Sequence, residues 1–159
     1  MPIMDAQLLF SESQSIAGNA GTSTESTNIV YIPKVLDHLG ASQNDRYFVN
    51  HNLFLNVVVE DTALLAAVDG CVLTIALYAD TDATTVTTDG DIILTKNFTC
   101  NTPADQGDGY VLMSVPLPVE TMKPYLAVKY TKATQNLSAG AVTAWIGTSI
   151  QQGGEHGNL

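Results

Sequence analysis

The feature that most constrains this chain is a period-two alternation of apolar and polar residues, which recurs in short segments along its length. In residues 124–132 the apolar Leu126, Val128 and Tyr130 occupy every second position, and residues 141–150 show the same spacing. Side chains two positions apart point to the same face of a β-strand. Both segments are therefore predicted to be strands with one buried face.

The residues between these two strands favour a turn. Residues 133–140 include Thr, Gln, Asn, Ser and Gly, types that are common in turns and unfavourable inside strands. The two strands are therefore predicted to pair as an antiparallel hairpin near the end of the sequence. In this arrangement Tyr125 and Trp145 lie on the outer face of the hairpin, opposite its buried side chains.

Similar patterns predict further strands in residues 27–32, 52–60, 71–79, 92–100 and 110–115. Ile29 and Val30 in the first of these are expected to begin the core. Residues 52–60 are apolar on much of both faces, which predicts a central strand or one covered by a neighbouring subunit. About eight short strands at intervals of roughly ten residues are typical of an all-β, single-domain antiparallel β-sandwich of jelly-roll-like form.

Two short segments are candidates for a helical turn. Residues 34–39 have apolar residues at helical spacing and end before Gly40, a residue suited to terminate a helix. Residues 63–68 follow Asp61, which is able to cap a short helix. A hairpin loop that covers one end of the sandwich is an equally good interpretation of residues 63–68.

Length and composition indicate one globular domain. A chain of 159 residues buries roughly 70% of the surface that its unfolded form exposes, which is enough for a core without a disulfide or a metal. The 45% hydrophobic and 14% charged residues argue against disorder throughout. Abundant Val, Thr and Gly with few Lys and Arg favour strands over helices.

Three segments are distinguished by composition: an N-terminal arm and flexible connection in residues 1–27, the sandwich in residues 28–150, and a polar, Gly-rich flexible tail in residues 151–159. Residues 1–12 contain an apolar cluster of Leu8, Leu9 and Phe10 and are interpreted as a short strand or an arm that packs against another surface. A stretch rich in Ser, Gly and Thr follows. A long irregular segment in a compact protein is usually disordered or functional. We expect this arm to become ordered on a partner.

The charge of the chain limits its partners. The formal net charge is −10, and the six basic residues are scattered along the sequence. Nucleic acid is a poor candidate partner, because binding phosphates requires clustered cations. Asp5 and Gln7 interrupt the apolar N-terminus, so no signal peptide is expected, and no apolar run approaches the roughly 20 residues of a membrane helix. We expect synthesis in a reducing cytoplasm and no binding to a membrane.

The sequence has two cysteines, Cys71 and Cys100, each at the edge of a predicted strand. Both are interpreted as small buried hydrophobic residues rather than as a disulfide, because a domain of this size does not need a cross-link.

A Thr-rich loop is bracketed by four aspartates, Asp80, Asp82, Asp89 and Asp91. Carboxylates of this kind are ligands of Ca²⁺, but the spacing differs from that of a twelve-residue EF-hand loop. Aspartates also occur in turns because they hydrogen-bond to nearby backbone. Turn chemistry is the preferred interpretation, and no metal or other cofactor is expected.

Motifs for catalysis are missing from the sequence. His38, His51 and His156 have no metal-ligand spacing, and there is no nucleophile elbow, phosphate-binding loop or dinucleotide fingerprint. We expect no catalytic residues, and hold an enzyme with an unrecognised site only as a remote alternative.

Short sequence words at the start, middle and end of the chain resemble one known family. They are Met4–Ser11 followed by Ser26–Asn28, Leu73–Leu77 running into Asp80–Asp82, Pro116–Pro118, Tyr125-Leu126, Tyr130-Thr131, and Gly140–Ala144. Together they resemble the Bbp16-type capsid cement, or decoration, proteins of tailed bacteriophages. The resemblance implies a jelly-roll-like virion protein, not an enzyme, that binds the outer capsid surface as an oligomer. It also implies that the protein is made in the bacterial host and stabilises contacts between neighbouring major capsid proteins.

Two surfaces are expected to serve this role. Leu8, Leu9 and Phe10 are predicted to contact the capsid, while Tyr125 and Trp145 are predicted to mediate self-association, as a homodimer or alternatively a trimer. The competing hypothesis is a carbohydrate- or receptor-binding β-sandwich module of a phage tail or virion, for which Trp145, Tyr125 and Tyr78 are the candidate aromatic residues.

Overall fold

The computed structural model describes residues 8–31, 53–60, 66–67, 70–100, 109–117 and 123–147. These residues form eleven strands and contain no α-helix. The strands are β1 (Leu9–Ser15), β2 (Ser23–Glu25), β3 (Val30–Tyr31), β4 (Phe54–Val59), β5 (Ala66–Ala67), β6 (Val72–Asp80), β7 (Asp91–Thr99), β8 (Val111–Pro116), β9 (Tyr125–Ala133), β10 (Leu137–Ala139) and β11 (Ala141–Gly147). Within this part of the chain no helix is long and apolar enough to cross a membrane.

Two antiparallel sheets pack face to face. The four-stranded sheet has the order β1-β11-β4-β8, and the five-stranded sheet has the order β2-β9-β6-β7, with β3 pairing the same edge of β9 as β2. The short strands β5 and β10 form a separate pair. The all-β antiparallel sandwich predicted from the alternation is therefore confirmed.

The strand order is that of a jelly roll. Eight main strands remain when β5 and β10 are set aside and β2 and β3 are counted as one interrupted strand. When these eight strands are counted from one to eight along the chain, their order is 1-8-3-6 in the four-stranded sheet and 2-7-4-5 in the other. This interleaving of strands from both ends of the chain is the arrangement of an eight-stranded, two-sheet jelly roll.

The core lies between the sheets and follows the period-two pattern. Leu73, Ile75 and Leu77 of β6 are fully buried, as are Leu55 and Val57 of β4. Strand β4 lies between β11 and β8, so the prediction of a central strand in residues 52–60 is confirmed. One continuous cluster of buried apolar side chains joins the two sheets.

The predicted terminal hairpin is wrong. Strands β9 and β11 do not pair with each other, because β9 pairs with β6 in the five-stranded sheet and β11 pairs with β4 and β1 in the other. The β6–β9 ladder extends from Val72↔Ala133 to Asp80↔Tyr125 and so occupies the whole length of β9. The turn-rich residues between the strands instead include β10 and lead from one sheet to the other.

The expectation of a flexible connection in residues 1–27 is also corrected for the part that the structure describes. Strand β1 pairs with β11, β2 pairs with β9, and Ile16 N–H donates to Gly140 O at 2.9 Å. Phe10 and Ile16 have no exposed surface and belong to the core cluster. The Ser- and Thr-rich composition of this segment reflects edge strands whose side chains face solvent. The predicted domain boundary at residue 27 therefore lies inside the sandwich.

Smaller expectations differ in detail. Val30 is buried, but Ile29 is 44% exposed and does not begin the core. Ala66–Ala67 is a strand, so a helix through residues 63–68 is wrong at these two positions. The helical turn predicted in residues 34–39 and the tail in residues 151–159 lie outside the described residues.

Candidate functional site

The two residues predicted to share an outer surface lie on different sheets. Tyr125 is the first residue of β9 in the five-stranded sheet, whereas Trp145 belongs to β11 in the four-stranded sheet. The face assignment came from the hairpin that the structure does not contain. Tyr125 and Trp145 therefore do not share one sheet face, which was the reason for pairing them in a self-association surface.

Trp145 is also largely buried, with 9% of its surface exposed. It lies opposite Asn56 of β4, which in turn lies opposite Ser114 of β8. Ser114 Oγ donates a hydrogen bond to Asn56 Oδ1 at 2.7 Å, and Asn56 is fully buried. A side chain at Gly147 would meet Trp145 Nε1 at 3.2 Å, so the surroundings of the indole are tightly filled. Trp145 thus takes part in packing rather than in an exposed aromatic patch.

The predicted capsid-contact residues are likewise committed to the domain itself. Phe10 is fully buried and Leu9, 8% exposed, lies opposite Trp145 in the β1–β11 pair. Leu8 is partly buried and packs against the core. The prediction that this cluster reaches a partner surface is corrected, because at least Leu9 and Phe10 would have to leave the core to do so.

The structure instead brings three tyrosines together on the outer face of the five-stranded sheet. Tyr31 lies opposite Tyr125 in the β3–β9 pair, with ring centroids 5.0 Å apart. Tyr78 lies opposite Ala127, which is two residues along β9 from Tyr125 and therefore shares its face. All three tyrosines are half-buried, whereas alternate residues such as Leu126 face the core.

A lysine completes this surface. Lys129, two residues beyond Ala127 on β9, has Nζ 5.7 Å from the centroid of the Tyr78 ring, within the range of a cation–π contact. Its ammonium also donates to the carbonyl oxygen of Thr87 at 3.1 Å. We call Tyr31, Tyr78, Tyr125 and Lys129 the tyrosine face.

A polar row continues the same outer face toward the other end of the sheet. Register places Ser23, Thr131, Thr74 and Asn97 side by side on β2, β9, β6 and β7. The Ser23 and Thr131 hydroxyls lie 2.9 Å apart, and Thr74 Oγ1 donates to Asn97 Oδ1 at 2.8 Å. Hydroxyl and amide groups of this kind donate and accept hydrogen bonds. The outer face therefore combines aromatic contact area with uncharged polar groups.

The aspartates at the start of the loop have local partners. The Asp80 carboxylate accepts from Thr81 N–H at 2.6 Å and from Thr85 Oγ1 at 2.9 Å. Asp82 Oδ1 accepts from both the N–H and the hydroxyl of Thr84 at 2.8 Å. These bonds lower the pKa of Asp80 and Asp82, for Asp80 chiefly through the Thr85 hydroxyl and for Asp82 chiefly through the Thr84 N–H. The geometry is that of the turn chemistry inferred from the sequence.

At the far end of the loop Asp91 forms an ion pair with Lys123 at 2.8 Å. This pair raises the pKa of Lys123, first through the hydrogen bond to Asp91. Among the described residues no group of three or more His, Cys, Asp or Glu side chains is arranged to hold a metal ion. His38, His51 and His156 lie outside the described residues, so the structure gives no further information on them.

Tyr31 is the functional candidate that the sequence analysis missed. It lies in a two-residue strand, too short to show alternation by itself. The sequence nevertheless indicated its position. Val30 was expected to be buried, and in a strand the next residue, Tyr31, then lies on the outer face. Tyr31 lies near Tyr125 only because β3 pairs with β9. The two tyrosines are more than ninety positions apart in the sequence.

No protein-family model matches the sequence, and none of the curated proteins matches it.

Proposed function

We propose that this protein is a capsid cement protein, a structural virion component that binds the outer surface of a phage capsid as an oligomer. The observation that supports this proposal is the set of sequence words that resemble the Bbp16-type family. Several of them fall in strands that build the framework: Leu73–Leu77 in β6, Tyr125-Leu126 and Tyr130-Thr131 in β9, and Ala141–Ala144 in β11. The jelly-roll order of the strands agrees with the fold that the resemblance implies.

The tyrosine face is our proposed contact surface for the major capsid protein. Tyrosines are enriched at the centres of protein interfaces because they bury a large apolar area and still satisfy a polar group. The face is formed by central and neighbouring strands of a sheet, so its shape is held by long ladders on both sides of β6. Leu9 and Phe10 are buried in the domain and are not part of this surface.

The charge of the chain limits the surfaces to which it can bind. The net charge of −10 favours approach to a positively charged surface and works against binding to an acidic one. Attraction between surface charges weakens with ionic strength, with a screening length of about 10 Å at 0.1 M salt. If the capsid surface that it contacts is positively charged, the rate of binding should fall as salt is added.

The test is co-sedimentation of purified protein with capsid shells of its own phage that lack it. The wild-type protein should bind, and the double variant Tyr78→Ser/Tyr125→Ser should bind about tenfold or more weakly if these residues are interface hot spots. Tyr110→Ser is the matched control, because Tyr110 is an exposed tyrosine just before β8, away from the tyrosine face. Absence of wild-type binding to shells would overturn the cement function. Equal binding by the double variant would overturn only the choice of surface.

The protein is further proposed to act as a homo-oligomer, a dimer or alternatively a trimer, located on the virion surface after synthesis in the host cytoplasm. Several weak contacts on a repeating lattice add up, since the second contact of an oligomer is intramolecular. Sedimentation of the free protein tests this point. A strictly monomeric protein that still saturates capsids would contradict it.

A carbohydrate- or receptor-binding module remains the second candidate, and one observation favours it. Two of the three aromatic candidates, Tyr78 and Tyr125, share a face with Tyr31 and with a row of hydroxyl and amide groups. Screening the wild type and the double variant against immobilised glycans separates the two functions. Glycan binding that the double variant loses, without binding to capsid shells, would establish this candidate instead.

A further inference from the structure

Cys71 and Cys100 are brought together at one end of a strand pair. Cys71 immediately precedes β6 and Cys100 immediately follows β7. The last ladder pair at this end is Val72↔Thr99, so the two cysteines occupy the next opposed positions. In sequence they are separated by two nine-residue strands and the loop of residues 81–90, and only the β6–β7 ladder makes them neighbours.

The backbone at this end holds the two residues in register. Cys100 N–H donates to Cys71 O at 2.8 Å, and Gly70 N–H donates to Cys100 O at 3.3 Å. Gly70 has a φ of 94°, a left-handed conformation that glycine adopts without strain. This combination is a β-bulge with glycine in its first position, in which Cys71 is the residue that opposes Cys100. Two backbone hydrogen bonds and the left-handed conformation of Gly70 therefore hold Cys71 opposite Cys100.

The geometry suits a covalent link. Directly opposed residues of antiparallel strands have Cβ atoms about 4.5–5.5 Å apart, and a disulfide requires about 3.5–4.5 Å. Because the Cys71–Cys100 pair is hydrogen-bonded through its backbone, we expect a separation toward the longer end of this range, so closing the bond draws the two Cβ atoms together by about 1 Å or more. Both thiols are unlinked and fully buried.

The side chains already interact. Burial raises the pKa of the Cys100 thiol to about 12, with the neighbouring Cys71 thiol adding to the effect by its charge and by a hydrogen bond. On the adjacent strand Lys132, which is also buried, has its ammonium within electrostatic reach of Cys71 and donates to Thr24 Oγ1 at 2.8 Å.

We propose that Cys71 and Cys100 form a redox-sensitive dithiol that closes into an intramolecular disulfide with a low-molecular-weight disulfide such as glutathione disulfide as the oxidant. One protein thiolate attacks the oxidant, forming a mixed disulfide and releasing one glutathione thiolate. The second protein thiolate displaces the other glutathione and forms the Cys71–Cys100 bond. Two electrons pass to the oxidant, and the two thiol protons end on the two glutathione molecules.

The link would connect an edge strand to the centre of its sheet. Among the described strand pairings β7 pairs with β6 alone, and its residues are mostly exposed or half-buried. A disulfide restricts the unfolded chain and stabilises the native state through the loop it closes. For a loop of this size in a domain of this length we expect the melting temperature to rise by roughly 5–10 °C. The inference stands on the cysteine geometry and is independent of the proposed function.

The experiment refolds the full-length protein from urea in two buffers, one with reduced glutathione alone and one with glutathione disulfide in excess. Refolding gives the oxidant access to thiols that are buried in the native state. The protein from each buffer is alkylated under denaturing conditions and weighed by mass spectrometry, and its melting temperature is measured before alkylation. The expected oxidised product has lost two hydrogen atoms, takes up no alkylating group, remains monomeric in denaturant, and melts at a higher temperature.

Cys71→Ser and Cys100→Ser serve as matched variants, each with one thiol left and the same oxidant exposure. Neither should show a difference in melting temperature between the two buffers. The mass measurement on the wild type decides the proposal even if both variants fold poorly. Two alkylated cysteines, glutathione adducts alone, disulfide-linked dimers, or an intramolecular disulfide that lowers the melting temperature would each overturn it.

Discussion

The Tyr130 hydroxyl lies 3.0 Å from the Ser11 hydroxyl in the interior of the sandwich, although the two residues are 119 positions apart in the sequence. Tyr130 belongs to β9 and Ser11 to β1, so the contact connects the two sheets. Ser11 Oγ donates to Gln14 Oε1 at 2.6 Å, which leaves it as the acceptor of the Tyr130 proton. A buried hydrogen bond thus links the N-terminal strand to a central strand of the opposite sheet.

Removal of this bond should lower stability by a modest amount. We expect Tyr130→Phe to reduce the free energy of unfolding by about 1 kcal/mol, the typical net value of one hydrogen bond. Ser11→Ala should cost about 1–3 kcal/mol, because it leaves the Tyr130 hydroxyl buried without this acceptor. Urea denaturation of both variants and of the double variant measures the coupling between them. Additive effects of the two substitutions would show that the hydroxyls do not interact.

Alkaline pH should weaken the fold through the same tyrosine. Burial raises the pKa of Tyr130, so above pH ~10 the unfolded chain loses the phenol proton while the native state keeps it. The native state then binds more protons, and the free energy of unfolding falls as the pH rises. Comparing urea midpoints at increasing pH should show a shallower decline for Tyr130→Phe than for the wild type. Parallel curves would contradict a buried, proton-retaining Tyr130.

Lys132 should show the opposite dependence. Burial lowers the pKa of this lysine, so the unfolded chain binds the proton more tightly and the stability contribution of Lys132 rises with pH up to the ordinary lysine pKa of about 10.4. We expect Lys132→Met to be at least as stable as the wild type at pH ~7, since it removes the desolvation cost of the ammonium. Lys96→Met, at an exposed position of β7, is the control and should change little. A large loss of stability in Lys132→Met alone would show that its bond to Thr24 outweighs that cost.

The N-terminal segment should contribute to folding, contrary to its expected role as an arm. Phe10→Ala should reduce the free energy of unfolding by about 3–5 kcal/mol, the range for truncating a buried phenylalanine. Leu8→Ala, at a partly buried position, should cost clearly less. Thermal and urea unfolding of the two variants test this order. A stable Phe10→Ala protein would restore the interpretation that this cluster lies on a partner.

The Asp80 loop should lose stability in acid. Hydrogen bonds from the Thr85 hydroxyl and Thr81 N–H keep the pKa of Asp80 below its usual value, so its contribution is present above pH ~4 and is lost as the pH falls through the lowered value. The acid dependence of the urea midpoint should therefore be shallower in Asp80→Asn than in the wild type. Asp89→Asn, which changes an exposed residue of the same loop, is the control.

Millimolar calcium should leave the melting temperature of the wild type nearly unchanged, and a rise of many degrees would indicate a metal site.

The sequence by itself determined most strands and the side chains that face the core. Leu126, Val128 and Tyr130 were placed inward from their spacing alone, and all are buried. The two cysteines were predicted to be buried small residues, and the structure shows both unlinked and buried. These properties are local, because period-two geometry relates each residue to its near neighbours in the chain.

Only the tertiary structure decided which strands are partners, and the surfaces depend on that choice. The pairing of β9 with β6 and of β11 with β4 places Tyr125 and Trp145 on different sheets. The pairing of β3 with β9 places Tyr31 beside Tyr125, and the β6–β7 ladder places Cys71 opposite Cys100. Ladders between distant strands are stabilised by the whole core that they enclose, and no local pattern contains that information. For this reason the alternation determined what is buried, while the jelly-roll pairing determined which exposed residues lie together.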